Sequence, residues 1–393
     1  MFSSRTPANL TLNPLAAAVR AARSGGRTFS DLTESNPTRA GFDYPADLLA
    51  PLGDARGLRY APSPLGAMAA RAAVAADYAR QGLAVPPDRI VLDASTSDGY
   101  SLLFKLLAGA GDEVLVPRPG YPLFDHLTQL DLVIARHYDL DIHGDWSIDF
   151  ASLEQAITAR TRAVLLVSPN NPTGSFVSAA ELDRLAAICA PRDIAIIADE
   201  VFAGYELAPG AAAGAGRVAA RDVVVSFSLG GLSKSVGLPQ VKLGWIAVGG
   251  PDRLVAQALE RLELICDTYL AVSTPVQLAA AELLERGTMV RSQISTRILA
   301  NHRTLQTMAA GAPSCRTLRS AGGWYAVLQV PSFEPEEDLV LRLLGDGVLT
   351  HPGYFFDFPR ESFLIVSLLP PEGSFADGLS RVLRHFNCKA GGQ

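Results

Sequence analysis

The sequence predicts an α/β protein: a mainly parallel, doubly wound sheet in a larger unit, joined to a smaller α+β unit. Three observations lead there. Short apolar runs at Arg89–Leu92, Glu113–Val116, Val133–His137, Ala163–Val167, Ile194–Ala198 and Val223–Phe227 alternate with amphipathic stretches near 67–82, 98–108, 121–130, 151–158 and 178–189. Strands that alternate with helices belong in a parallel sheet covered on both faces. The length of 393 residues suits two domains rather than one. After Gly250 the rhythm changes: helical patterns fill 251–310, then Trp324–Val330, Val348–Thr350 and Phe363–Ser367 alternate with helices at 335–345 and 374–387.

Composition sets outer limits. Apolar residues make up 48% and charged residues 19%, enough for a large core, so disorder is excluded as the dominant state. A net charge of −6 argues against nucleic acid or an anionic membrane as the main partner. The apolar runs are strand-sized, well short of the ~18 residues of a membrane span. Cys189, Cys266, Cys315 and Cys388 lie too far apart for a metal or redox motif, and the six histidines form no HExxH. No metal site is expected, and isolated thiols suit a reducing, cytoplasmic compartment.

The first 30 residues carry arginines at 5, 20, 23 and 27 and no acid, a faint likeness to a transit peptide. A docked helix explains them better, with Asn13 as its cap and Pro14 at its first position.

Parallel sheets place their chemistry at the carboxyl ends of strands, so the loops there hold the candidates. Ser168-Pro-Asn-Asn-Pro-Thr-Gly174 follows a buried strand, and Asn171 can aim an amide at a ligand. Ile196-Ile-Ala-Asp-Glu200 ends an apolar strand in a carboxylate, where Asp199 is costly unless it is partnered. In Gly231-Leu-Ser-Lys-Ser-Val-Gly237, Lys234 sits among small residues after a strand, where partial desolvation would free its amine for Schiff-base chemistry. Taken singly, these are equally a turn, a helix cap and a surface lysine.

As an ordered set, Asn171, Asp199 and Lys234 resemble the class I aminotransferases, the aspartate-aminotransferase-like fold type I pyridoxal-phosphate enzymes. The likeness runs from Thr33-Glu-Ser-Asn-Pro37 to Val366-Ser-Leu368. It implies pyridoxal 5'-phosphate as cofactor, carried by Lys234, with Asp199 on the pyridine nitrogen and Asn171 on the ring oxygen. Thr96 and Ser97 at a helix N-terminus, together with Ser233, would hold the phosphate. Lys242 stands where the family normally places an arginine on that phosphate. Tyr121, in Pro117-Arg-Pro-Gly-Tyr-Pro122, would cover the ring. Tyr60 would reach the phosphate of a neighbouring subunit, making the enzyme a homodimer with shared sites. The implied division is a large cofactor-binding domain over 48–286 and a small domain from 1–47 and 287–393, with a hinge helix near 287–310.

Two positions depart from the family pattern. Phe202 replaces a tyrosine that would touch the ring oxygen. Ile365 occupies the position at which the resemblance leads one to look for an arginine gripping the substrate carboxylate, which leaves Asn36 and Arg360 as candidate substrate contacts. The expected activity is transfer of an amino group from an amino donor to an oxo acceptor. A carbon–sulfur β-lyase on the same scaffold is the alternative. A cofactor-sensing regulator is remote, because the roughly 30 residues before the motifs cannot hold a DNA-binding unit.

Overall fold

The computed structural model describes residues 2–360 and 362–390. Its larger sheet has eight strands in the spatial order Ile90–Asp93, Gly244–Gly249, Ser226–Gly231, Ala195–Asp199, Thr161–Val167, Glu113–Arg118, Ile134–His143, Asp145–Ile148. The five strands from Ser226–Gly231 across to Ile134–His143 are parallel. Gly244–Gly249 runs antiparallel to both its neighbours, and Asp145–Ile148 closes a hairpin at the far edge.

Burial on both faces explains the apolar runs. Along Thr161–Val167, Ala163, Leu165 and Val167 pack into one apolar cluster while Val164 and Leu166 pack into another on the opposite face. Helices Met68–Arg80, Thr96–Leu107, Phe124–Leu130, Phe150–Ala156 and Ala179–Cys189 occupy the amphipathic stretches. Ser178 opens the last of these with a reciprocal capping box to Glu181. Near the N-terminus, Asn13 accepts from the Ala16 N–H at 2.7 Å and caps Pro14–Ser24 as expected.

Two strand expectations need correction. The strand sought at Val223–Phe227 begins later, at Ser226, and reaches Gly231; Val223 is exposed. Gly244–Gly249 is a further strand beyond those the apolar runs predict, with a glycine at each end. Those glycines answer to sterics: a Cβ on Gly244 would lie 2.1 Å from an Asp93 carboxylate oxygen.

Beyond Gly250 come Asp252–Tyr269, Thr274–Arg286 and the 23-residue helix Thr288–Ala310. An antiparallel four-stranded sheet follows in the order Arg316–Thr317, Tyr325–Gln329, Phe363–Ser367, His351–Pro352, with helices Glu336–Gly345 and Glu372–Ala390. Ser30–Asp31 pairs in parallel with Val348–Leu349, which ties the N-terminal segment to this unit. Among the described residues no single helix is long and apolar enough to cross a membrane, and no group of side chains could hold a metal ion.

Candidate active site

A cavity of about 180 Å³ opens at the carboxyl ends of the parallel strands. Lys234, Asp199, Asn171, Ser233, Thr96 and Tyr121 all line it, so residues spread over 139 positions converge on one space.

Asp199 ends its strand inside the protein, 8% exposed. The Tyr100 hydroxyl donates to its Oδ2 at 2.8 Å, and the Val201 N–H donates to Oδ1 at 3.1 Å. Burial still dominates and raises the carboxyl from 3.8 to about 6, against the lowering effect of those two donors and of Lys234. No helix begins at this point in the chain, so Asp199 is not the helix cap that its position in the sequence also allowed.

Lys234 stands on the four-residue helix Leu232–Ser235, just past the strand Ser226–Gly231. Burial pushes its amine below the usual lysine range, and the Asp199 charge partly opposes that shift. The Tyr205 hydroxyl donates to the Lys234 carbonyl at 2.6 Å and fixes the short helix from below.

Asn171 belongs to a loop held by its neighbour: the Asn170 side chain accepts from the Thr173 N–H and hydroxyl at 3.3 and 3.0 Å. That leaves the Asn171 Oδ1 buried and unpartnered on the cavity. Gly174 closes the loop at φ +73°, where a Cβ would lie 2.7 Å from the Gly322 carbonyl. Phe202 lines the same wall and brings a ring where the resemblance expects a hydroxyl.

Other expected contacts lie elsewhere. Ser97 is exposed and off the cavity; Ser95 lines it instead, as the N-cap of Thr96–Leu107. A helix turns about 100° per residue, so one position decides which hydroxyl faces inward. Lys242 is exposed at φ +60° and does not line the cavity; its charge is felt at buried Asp93. Tyr60, expected at a neighbouring subunit's phosphate rather than in this cavity, is 79% exposed and borders a separate surface concavity with Tyr269 and Gln277. Asn36 spends its side-chain oxygen on Thr38, capping the turn Pro37–Arg39, and Arg360 is exposed; neither lines the cavity. Ile365 is fully buried among Phe363, Phe358 and Val327.

Ser35, Tyr100, Tyr325 and Trp324 escaped the sequence reading. Ser35 and Tyr325 line the cavity, Tyr100 holds Asp199, and Trp324 backs Lys234. Only Ser35 sat in a segment singled out for its likeness to the family, Thr33-Glu-Ser-Asn-Pro37.

The set defines a class: an α/β enzyme that presents a buried amine, a strand-end carboxylate and a hydroxyl-rich helix N-terminus to one small cavity. The matching family model, Aminotransferase class I and II, spans residues 29–372, and the chain belongs to that family. It is 28% identical to the alanine aminotransferase of Mycobacterium bovis, over 91% of this chain and 85% of that one. The glutamate-pyruvate aminotransferase of Escherichia coli K12 is 27% identical over 91% and 90%. In fold it resembles the crystal structure of an Escherichia coli aminotransferase (TM-score 0.84, 23% identity, 97% and 99% covered). The alanine aminotransferase of Pyrococcus furiosus is also similar (TM-score 0.83, 22% identity, 95% and 96% covered).

The protein is accordingly a pyridoxal-phosphate-dependent aminotransferase with an α/β fold of the aspartate-aminotransferase type. The cavity suits that cofactor. It offers an amine for its aldehyde, an acid for its ring nitrogen, the Asn171 amide with its oxygen buried and unpartnered, and Ser95, Thr96 and Ser233 for its phosphate.

Proposed function

We propose that Lys234 is the residue that bonds the cofactor and moves the proton in transamination, with Asp199 holding the ring nitrogen's proton. One observation carries this reading: the depressed Lys234 amine and the elevated Asp199 carboxyl share one cavity, their shifts set by burial. When bound, the cofactor supplies the electron sink. Asn171 would meet the ring oxygen, Tyr121 would cover the ring, and Ser95, Thr96 and Ser233 would hold the phosphate. The Lys234 Nζ takes the proton from the donor's Cα and later returns it, acting as base and then acid.

The donor is a small amine or amino acid, and an oxo compound is the acceptor. No arginine lines the cavity, and Lys234, its one cation among the described residues, is occupied by the chemistry. A donor carboxylate buried there without a cation costs several kcal/mol. Amines, and amino acids anchored by a distal group, are therefore expected to outperform alanine, glutamate and aspartate. A donor panel followed through the cofactor's visible absorbance tests this. Equal turnover of those three amino acids and the best amine would overturn it. Release of pyruvate and ammonia without an acceptor would instead establish a lyase.

The enzyme is proposed to be a homodimer that places Tyr60 at the partner's phosphate site. The exposure of Tyr60, with Leu58 92% and Tyr269 59% exposed nearby in the chain or on the same concavity, supports that reading. Light scattering should report twice the chain mass at micromolar concentration, and Tyr60→Phe should weaken cofactor retention. A fully active monomer would sink the shared site. The cytoplasm is proposed as the compartment; the three described cysteines are buried free thiols. The division into 48–286 and 1–47 with 287–393 is proposed as well; it is supported by the eight-stranded sheet lying within the first span and the four-stranded sheet within 287–393.

A further inference from the structure

We propose that Trp324 is a positioning residue for the Lys234 amine, offering its indole face as the docking place whenever that amine is not bonded to the cofactor. The inference rests on the reading of Lys234 as the reactive lysine.

Local backbone chemistry puts the ring there. Gly323 sits at φ +85°, and a Cβ on Gly322 would lie 2.7 Å from the Tyr205 carbonyl and 2.7 Å from the Phe176 ring, so only this glycine pair lets the chain pass. The Gly323 N–H donates to the Tyr205 carbonyl at 2.9 Å, and the Trp324 carbonyl accepts from the Leu368 N–H at 2.7 Å. Between these ties the indole is fully buried, edge-on to Phe202 and to Tyr205, each with ring centroids 5.2 Å away. Its rotamer has little freedom.

The Lys234 Nζ lies 5.0 Å from the Trp324 centroid and 5.7 Å from that of Phe202. Tyr205 joins the arrangement by donating its hydroxyl to the Lys234 carbonyl. One aromatic wall thus holds the lysine's backbone and faces its amine. An ammonium is attracted to a ring face and a neutral amine hardly at all, so the wall favours the charged form against the burial that opposes it. Asp199 is the charged group that acts on the amine. Glu200 is turned away, paired with Arg217 at 2.8 Å and accepting from Ser228 at 2.7 Å, and Arg291 is paired with Asp77 at 3.3 Å.

The test reads the amine directly in cofactor-free protein, without turnover. Competitive labelling with acetic anhydride across pH, with the Lys234 peptide quantified by mass spectrometry, gives the midpoint at which Nζ becomes reactive. Trp324→Leu should lower that midpoint by about half to one and a half pH units, and Trp324→Phe by less. Fluorinated tryptophan keeps the shape and weakens the ring's quadrupole, so it removes folding as a confounder. Of the three tryptophans only Trp324 faces Lys234, and the fluorinated protein should show the same downward shift. A midpoint that stays put or rises in both the leucine and the fluorinated protein overturns the proposal. Failure of the Lys234 reading would appear separately, as cofactor absorbance surviving the loss of Lys234 while the labelling shift persists.

Discussion

Lys234→Ala protein will purify without the visible absorbance of lysine-bound cofactor, and its turnover will fall to background. Among the described residues the cavity contains one amine, and burial holds it below the ordinary lysine range, which favours its neutral, nucleophilic form relative to a solvated lysine. Among the described residues no other lysine lines this space to substitute for it. The same nitrogen shuttles the proton, so bond formation and proton transfer are lost together. Absorbance at wild-type intensity in the variant would remove Lys234 from the mechanism.

Asp199→Asn will keep its fold and most of its cofactor while turnover drops by on the order of 10²–10³ or more, the scale seen when a buried electrostatic stabiliser is removed. A neutral amide cannot favour a protonated ring nitrogen, and the electron sink weakens accordingly. Stability should move the other way in cofactor-free protein. The folded carboxyl titrates at about 6 against 3.8 when unfolded, so its contribution is fully present below pH ~4 and is lost as the pH rises through ~6. Two units correspond to about 3 kcal/mol. Denaturation at pH 4 should find wild type and Asp199→Asn nearly equal; at pH 7 the variant should be the more stable by up to that amount. Preserved kinetics with a stability loss near 1 kcal/mol would instead mark Asp199 as a structural residue.

Much of this site was legible because the chemistry sits at the ends of strands. Strands buried on both faces must be continuously apolar, so Asp199 after Ala195–Ala198 and Asn171 after Thr161–Val167 stand out as polar groups at their mouths. Lys234, among small residues after a strand, became identifiable only as the third member of the ordered set with Asn171 and Asp199. Phosphate contacts were less legible, since Ser95, Thr96 and Ser97 are adjacent hydroxyl residues and only the helix phase makes Ser97 the exposed one. Gly244–Gly249 was hidden because glycine suppresses the strand pattern; its role is to clear Asp93 and Ser95, which no local window contains.

The sequence by itself determined the α/β alternation and the order of the three chemical groups, encoded within short windows by period, polarity and turn chemistry; the cofactor followed from the family that those motifs resemble. Tertiary structure alone decided the company those groups keep. Tyr100 meets Asp199 from 99 positions away and Trp324 meets Lys234 from the other sheet, while Tyr60, Lys242 and Arg360 turn outward. The physical reason is that desolvation depends on every atom packed around a group, whatever its place in the chain. Burial sets the Lys234 and Asp199 shifts here, and burial exists only once the chain has closed on itself.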